Sequence, residues 1–173
     1  MHYRAFIDDE DTPFRIEYYH NPNRWLSNPI NSNNPIMNIN NWSEEIKYIG
    51  STGNVADEIL SLPNNTGGIY MFYIKGVSLP FIENYVLYIG RCRFTNSQNI
   101  RKRAKEYLMD TRPLIARMFR LWKDYLFYRF YPDTDNVRID TNEIQLIRAI
   151  FPPLNETIPD NIDVQATIPA FTS

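Results

Sequence analysis

Several residue types and patterns that define common protein classes are scarce in this sequence of 173 residues. One cysteine, Cys92, and two histidines, His2 and His20, exclude an intrachain disulfide framework and a zinc site built from cysteine and histidine. No stretch reaches the roughly 18 uncharged apolar residues that a membrane-spanning helix needs. Residues 1–11 are polar and acidic, whereas a secretory signal peptide starts with basic and then apolar residues. We therefore predict a cytoplasmic protein without a membrane partner, in which any metal ion is held mainly by oxygen.

Apolar residues are plentiful enough for a packed core. They make up 43% of the chain, aromatic residues make up 14%, and charged residues make up 22%, a balance typical of a globular protein. The length fits one domain of about 100–150 residues with an extension. A second domain of full size is not expected.

The formal net charge of −2 conceals a segregation of charge along the chain. Residues 91–129 contain eleven basic and three acidic side chains, a local charge of +8. Residues 1–62 contain four basic and nine acidic side chains, a local charge of −5. Mixed charges on any single helix can serve solubility alone, but a basic stretch of this density is typical of a surface that binds phosphate groups.

Composition divides the chain into three parts. Residues 1–62 form an acidic extension rich in asparagine and proline. A turn rich in asparagine and glycine at residues 64–68 marks the start of a domain over residues 63–156. Residues 157–173 form a C-terminal tail without a clear period. Because the extension is acidic, we expect it to pack beside the domain or to bind a protein partner or a second copy, rather than to contact DNA.

The extension itself predicts little regular structure. Residues 21–41 contain nine asparagines and three prolines, a composition of turns and loops. A short helix is expected near Ser43, and a second is expected over residues 55–62 with Asn54 as its N-cap.

Within residues 63–156, runs of β-branched and aromatic residues alternate with segments of helical period. The first two runs flank a loop with glycine and proline, which predicts an antiparallel pair. The expected elements are strands over 69–74 and 85–89, helices over 99–109 and 114–123, a strand over 125–131 and a helix from 140 or 141 to 150. We predict an α+β fold in which helices flank a small, mixed or antiparallel, three-stranded sheet.

Five short motifs occur in order along this domain. They are Gly68-Ile69-Tyr70 at the first strand, Tyr88-Ile89-Gly90 at the second, Arg103 in the basic helix, Glu143 in the last helix and Asn155 just past its end. This ordered set resembles the GIY-YIG endonuclease superfamily over about residues 67–156, including the β-β-α-α-β-α succession. A further copy of the second tripeptide, Tyr48-Ile49-Gly50, has no preceding partner, and we interpret it as unrelated to the motif.

The resemblance implies hydrolysis of a phosphodiester bond and a role for each motif. Tyr70 is implied to be the base or hydrogen-bonding group at the attacking water, with Tyr88 as its partner. Arg103 is implied to bind the scissile phosphate. Glu143 is implied to be the sole protein ligand of one Mg²⁺ or Mn²⁺ ion, which suits an ion that keeps several of its waters.

Further residues take supporting roles in the same resemblance. Tyr107 lies one turn after Arg103 and is expected to contact phosphate, and Asn155 is expected to buttress the site. Gly68 and Gly90 are expected to allow close approach of the backbone beside the site. Arg91 follows the second tripeptide where relatives often carry lysine, and it can neutralise phosphate without giving or taking a proton.

Each assignment has a structural alternative. Tyr70 and Tyr88 could be ordinary strand aromatics, and Tyr107 could belong to the core. Glu143, placed in the first turn of the predicted helix, could be favoured there by the helix dipole alone. Asn155 could be a turn residue beside two prolines.

A nonspecific phosphate-binding surface is also expected around these motifs. Its predicted members are Arg93, Arg101, Lys102, Lys105, Arg112, Arg117, Arg120 and Arg129. Arg93 lies in a loop over residues 91–99 that could reach into a DNA groove, although a flexible polar loop is the alternative.

We therefore predict a metal-dependent endonuclease that cleaves DNA, of the restriction or defence type. A binding or assembly subunit that keeps the fold without cleaving, and a ribonuclease, are the alternatives.

Overall fold

A computed structural model describes residues 33–75 and 85–156 of the chain. The predictions for residues 1–32, for the loop between the first two strands and for the tail over residues 157–173 lie outside the described residues. Within the described ranges, no helix has the length and apolar character needed to cross a membrane.

The described residues form a mixed α+β fold. Its strands are β1 (Ile46–Lys47), β2 (Gly67–Ile74), β3 (Tyr85–Cys92) and β4 (Leu126–Asp133). Its helices are α1 (Asp57–Leu60), α2 (Ile100–Glu106), α3 (Pro113–Trp122) and α4 (Asn136–Ile150). The four strands form one antiparallel sheet in the order β1-β4-β2-β3, so β3 is an edge strand. The prediction of three strands was wrong, because residues 46–47 of the extension add a fourth strand beside β4.

The two faces of the sheet pack against different helices. Tyr70 and Phe72 of β2 point with Tyr88 of β3 into a core shared with α2 and α3. The alternate residues, such as Ile69 and Ile89, pack against α4 on the other face. Residues 34–42 also cover that second face, where the Trp42 and Tyr131 ring centroids are 5.9 Å apart.

The predicted boundary at residues 62/63 does not separate two cores. Tyr48 is fully buried among the residues of the main core, and its hydroxyl donates a hydrogen bond to the Ala104 carbonyl of α2. Ile59 and Leu62 pack into the same core. The part of the extension that the structure describes therefore belongs to the domain, as the packing alternative predicted.

Both helices expected in the extension required correction. No helix begins at Ser43; its backbone N–H instead donates to the Phe130 carbonyl at 2.8 Å and extends the pairing with β4. The second helix, α1, is shorter than predicted and begins after Ala56 rather than Asn54.

The other helices have recognisable start and stop signals. Asn99 caps α2 through a bond from the Lys102 N–H, and Pro113 opens α3. Asp135 caps α4 by accepting from two backbone N–H groups, and the helix ends at Phe151, which adopts φ 51° before a proline.

The last helix begins earlier than predicted, at Asn136 rather than residue 140 or 141. Glu143 therefore lies in the middle of α4 and not in its first turn. Because the dipole effect fades within the first turn, it does not explain a carboxylate at this position.

Candidate active site

A cleft of about 430 Å³ lies beside β3 and contains most of the predicted site residues. Tyr70 and Tyr88 reach it from one face of the sheet, and Arg91 and Glu143 reach it from the other. Because β3 is the edge strand, the cleft crosses the edge of the sheet and is lined from both faces. Its lining residues are Tyr70, Tyr88, Arg91, Arg103, Arg112, Ile115, Glu143, Ile147, Leu154, Asn155 and Glu156.

One side of the cleft is lined by Tyr70 and Arg103, with Tyr107 behind them in the core, and we name these three residues the tyrosine wall. Tyr107 is 1% exposed and does not line the cleft, so the structure favours the core alternative over a direct contact with phosphate. The Tyr70 and Tyr107 hydroxyls lie 2.6 Å apart. The Arg103 guanidinium donates from Nε to the Tyr70 hydroxyl at 3.1 Å and from Nη2 to the Tyr107 hydroxyl at 3.3 Å. A third bond, from Nη1 to Glu106 at 3.1 Å, fixes the guanidinium from the solvent side.

The hydrogen bonds of this wall allow two arrangements of its protons. Arg103 can only donate, and it donates to both hydroxyls, so either hydroxyl can donate to the other. When Tyr107 donates, Tyr70 accepts from both Arg103 and Tyr107, and its own proton is available on the side of the cleft that Tyr70 lines. In that arrangement Tyr70 is a hydrogen-bond donor toward a ligand.

Burial holds both hydroxyls of the wall in the neutral form. Desolvation raises the pKa of Tyr70, and the nearby Arg103 guanidinium only partly offsets that rise. Desolvation likewise raises the pKa of Tyr107. The positive charge of Arg103 therefore does not lower the pKa of Tyr70 below its ordinary value, because loss of water outweighs it.

Gly90 is required by the position of Tyr70. The two residues are directly paired across β2 and β3, and a Cβ atom at Gly90 would lie 2.5 Å from the Tyr70 hydroxyl oxygen. Gly68 lies away from the cleft and is required for a different reason. Its φ of 142° and the adjacent Tyr131 carbonyl leave no room for a side chain at this position.

The other side of the cleft, which we name the carboxylate wall, consists of Arg91, Asp140 and Glu143. Arg91 Nη1 forms an ion pair with Glu143 Oε2, and Arg91 Nε lies 3.0 Å from Asp140 Oδ1. Asp140 is also held by Arg93, whose Nε lies 3.0 Å from the same oxygen. Arg93, Asp140, Arg91 and Glu143 therefore form a row of side chains with alternating charge that runs from the solvent into the cleft.

Burial raises the pKa of Glu143, and the adjacent Arg91 partly offsets that rise. The side chain is 13% exposed, which leaves its carboxylate accessible from the cleft. Asp140 shows the opposite behaviour, since its hydrogen bond from Arg93 lowers its pKa.

The donor set fits one hard divalent cation. Glu143 offers carboxylate oxygen, and no cluster of three or more histidine, cysteine, aspartate or glutamate side chains occurs within residues 33–75 and 85–156. An ion held by one carboxylate must take its remaining ligands from water and substrate, as Mg²⁺ commonly does. Arg91 is the competing occupant of that carboxylate.

Asn155 has a clear structural role at the edge of the sheet. Its side chain accepts from the Ile89 N–H at 2.9 Å and donates to the Ile89 carbonyl at 2.7 Å. It thus satisfies the free edge of β3 between Tyr88 and Gly90.

Sequence reasoning placed Arg112 on a general surface, but the structure places it in the cleft. Its guanidinium lies 5.7 Å from the Tyr88 ring and 5.8 Å from the Tyr107 ring. Asp110 holds it at 2.6 Å through Nη2. The pattern Asp-x-Arg before a helix-starting proline was the available signal. Asp140, one turn before Glu143, is a second residue that the sequence reasoning missed.

The other predicted phosphate-binding residues are dispersed. Lys102, Lys105 and Arg120 are exposed, whereas Arg101 donates to the Leu62 carbonyl. Arg93 is exposed and paired with Asp140.

Two members of the predicted surface lie elsewhere. Arg117 is 8% exposed, so its burial contradicts a place on a phosphate-binding surface. Arg129 donates to Tyr73 on the face of the sheet opposite Tyr70, away from the cleft.

No family model matches the chain, and neither a curated protein nor a solved structure matches it. The chemistry of the cleft is therefore the basis for inferring a function.

Proposed function

We propose that this protein is a metal-dependent nuclease that hydrolyses phosphodiester bonds of DNA in the cleft and is related to the GIY-YIG endonucleases. The observation that carries the proposal is the convergence of Tyr70, Tyr88, Arg103, Glu143 and Asn155 around one cleft. These residues come from two strands, two helices and the segment after α4, and they place cationic, carboxylate and hydroxyl groups side by side around one opening.

Two guanidinium groups support an anionic substrate. Arg103 and Arg112 both line the cleft on the side of the tyrosines. The planar guanidinium binds phosphate oxygens through paired hydrogen bonds, and both groups are oriented in advance by carboxylates, Glu106 for Arg103 and Asp110 for Arg112. A phosphodiester bound between them receives positive charge where negative charge develops during hydrolysis.

Tyr70 is placed to orient the reacting groups. When Tyr107 donates to it, the Tyr70 hydroxyl keeps a proton that it can donate to a phosphate oxygen or to the attacking water. Tyr88 lines the same cleft. Because Tyr70 remains neutral, the proton of the water passes to another acceptor, such as solvent or a phosphate oxygen, rather than to a resident phenolate.

Glu143 is the residue that would hold the divalent ion. A bound Mg²⁺ or Mn²⁺ ion supplies counter-charge to the phosphate oxygens and lowers the pKa of a bound water. The contributions of the chain are the position of the carboxylate in mid-helix and the exclusion of bulk water by Ile147 and Leu154 at the cleft.

The substrate class follows from charge outside the cleft. Lys102 and Lys105 are exposed on α2, the helix that carries Arg103, so a polyanion bound at Arg103 can continue along this surface. We favour DNA and a restriction or defence role, with RNA as the alternative substrate. A protein partner or a second copy bound through the extension remains part of the proposal.

A second candidate function, a non-cleaving nucleic-acid-binding subunit, is favoured by one observation. Arg91 already neutralises Glu143, which would be a stable arrangement in a protein that binds no metal. Cleavage experiments distinguish the two functions.

The test uses the purified full-length chain with supercoiled plasmid, single-stranded DNA and single-stranded RNA, each with Mg²⁺ or EDTA. We expect cleavage of DNA that EDTA abolishes, and the product pattern separates site-specific from indiscriminate cutting. We also expect Glu143→Gln to abolish this cleavage. Its matched control for loss of a negative charge is Glu58→Gln, which changes an exposed carboxylate on α1. Binding of all three substrates without cleavage in Mg²⁺ or Mn²⁺ would contradict the nuclease and support the binding subunit.

A further inference from the structure

The Glu143 carboxylate contacts a positively charged side chain, and a second carboxylate contacts the same side chain. Arg91 contacts Glu143 through Nη1 and Asp140 through Nε, two different nitrogens of one guanidinium. Asp140 and Glu143 are three residues apart on α4 and therefore lie on the same helix face. Arg91 thus bridges two carboxylates one turn apart.

The three side chains differ in their exposure. Arg91 is 38% exposed, Asp140 is 25% exposed and Glu143 is 13% exposed. The most buried member is the carboxylate that most needs a counter-charge, and the most exposed member is the cation. If Arg91 leaves Glu143, Asp140 remains beside its Nε, so the guanidinium does not become unpaired.

A divalent ion and the Arg91 guanidinium would use the same carboxylate, in which Arg91 contacts Oε2. An ion at Glu143 brings two positive charges to a carboxylate that a third positive charge already contacts. The two cations cannot share the carboxylate without repulsion.

We propose that Arg91 is the resident counter-ion of Glu143 and competes with the divalent cation for it, while Asp140 retains the guanidinium when the cation is bound. Arg91 and Asp140 are then positioning residues that set metal affinity. This inference rests on the metal site of the proposed function. It predicts weak metal binding by the free protein and tighter binding once substrate phosphate adds negative charge to the cleft.

The direct test is the affinity of the full-length chain for Mn²⁺, measured by the electron paramagnetic resonance signal of free Mn²⁺, without nucleic acid. Binding that Glu143→Gln removes defines the site. We expect Arg91→Gln to bind Mn²⁺ at least about fivefold more tightly than the unmodified chain. Arg93→Gln is the matched control, because it also removes a positive charge beside Asp140 but has no ion pair with Glu143; we expect a change below about twofold.

Asp140 is tested by a double-mutant cycle. Asp140→Asn leaves Arg91 with Glu143 as its remaining carboxylate partner in this cluster, so we expect weaker Mn²⁺ binding. If Asp140 acts through Arg91, the effect of Asp140→Asn shrinks when Arg91 is already glutamine. Arg91→Lys keeps the charge with a single point of contact, and we expect an affinity between those of the unmodified chain and Arg91→Gln.

The outcomes separate this inference from the proposed function. Equal or weaker Mn²⁺ binding by both Arg91→Gln and Arg91→Lys, with circular dichroism and thermal unfolding unchanged, overturns the competition while leaving the metal site in place. Mn²⁺ binding that Glu143→Gln does not reduce overturns both. Mg²⁺-dependent DNA cleavage that Glu143→Gln abolishes, together with unchanged affinity in Arg91→Gln, upholds the nuclease and overturns the inference.

Discussion

The two walls of the cleft are organised by different forces. The tyrosine wall is buried, and neutral hydroxyls and one guanidinium share hydrogen bonds of 2.6 to 3.3 Å. The carboxylate wall is partly exposed, and its members form ion pairs with alternating charge. The tyrosine wall is held by hydrogen bonds among buried groups, whereas the carboxylate wall is held by ion pairs at a partly exposed position.

The difference lies in what surrounds each wall. Tyr70 stacks on Tyr128 at 5.7 Å and packs edge-on against Phe72 at 6.4 Å, so its ring is held by the core. Arg91 is held by its ion pairs with Asp140 and Glu143. In the proposed function, the tyrosine wall would provide fixed geometry for a phosphate and the carboxylate wall an adjustable site for a metal ion.

The largest effect on the tyrosine wall is expected from Arg103→Ala. The change removes the donor that connects Tyr70, Tyr107 and Glu106, and it removes positive charge at the phosphate. We expect DNA cleavage to fall about 10³-fold, measured under single-turnover conditions. Lys123→Gln, an exposed cation directly after α3 that has no place in the proposed binding surface, is the control and should change the rate by less than about threefold. Equal losses in the two variants would show that Arg103 acts only as general positive charge.

Replacing one hydroxyl tests whether the wall acts through Tyr70. Tyr70→Phe keeps the packed ring but removes the hydroxyl that would donate into the cleft in the proposed function, so we expect cleavage to fall about 100-fold. Tyr48→Phe is the matched control, since it removes another buried hydroxyl, bonded to the Ala104 carbonyl outside the cleft. That control should cost about 1 kcal/mol of unfolding free energy in urea with little loss of cleavage. Similar losses of activity in both variants would contradict a specific role for Tyr70.

The fixed geometry of the tyrosine wall can be disturbed through a glycine. Gly90→Ala places a methyl group 2.5 Å from the Tyr70 hydroxyl oxygen and must displace it, so we expect at least about tenfold slower cleavage. Gly50→Ala changes the glycine of the other Tyr-Ile-Gly copy, where the nearest atom lies at 3.5 Å, an ordinary contact. A crystal structure of the Gly90→Ala variant with Tyr70 unmoved and full activity would contradict the fixed arrangement.

The smallest effect is expected from a change of pH. The two walls should respond to it differently. Burial raises the pKa of Glu143, so acidification protonates this carboxylate at a higher pH than an ordinary glutamate, whose pKa is about 4.3. Cleavage should therefore fall as the pH decreases. Because burial also raises the pKa of Tyr70, no rise in rate from a phenolate is expected between pH 7 and about 9. A rate profile from pH 5 to about 9 checks both limbs. A rise near pH 8 that Tyr70→Phe removes would contradict the neutral tyrosine wall.

The sequence predicted the elements around the cleft better than it predicted the extension. Strands β2, β3 and β4 carry strong β-rich runs, and the antiparallel pairing of β2 with β3 was predicted from the loop between them. The pairing of β4 with β2 was left open between a mixed and an antiparallel sheet, and the structure shows that it is antiparallel. Residues 46–47 form a strand too short for a periodic signal, and Tyr48 enters the core through contacts with distant residues. Such contacts depend on tertiary packing, which local sequence patterns do not contain.

The two Tyr-Ile-Gly copies show the same limit at the site. Tyr48 is fully buried and bonds to a backbone carbonyl, whereas Tyr88 lines the cleft. Ordered spacing distinguished the two copies before the structure did. Spacing did not reveal that Asp140 and Arg91 surround Glu143, because the start of α4 was placed four residues too late.

The most direct test of the central claim is the rate at which the full-length chain cleaves supercoiled plasmid DNA in Mg²⁺, compared with its Glu143→Gln variant. Both proteins should unfold at the same temperature, since the substitution preserves the shape of the side chain. The account predicts cleavage by the unmodified chain and a loss of at least about 10³-fold in the variant. Equal cleavage by the two proteins, or cleavage that persists in EDTA, would contradict it.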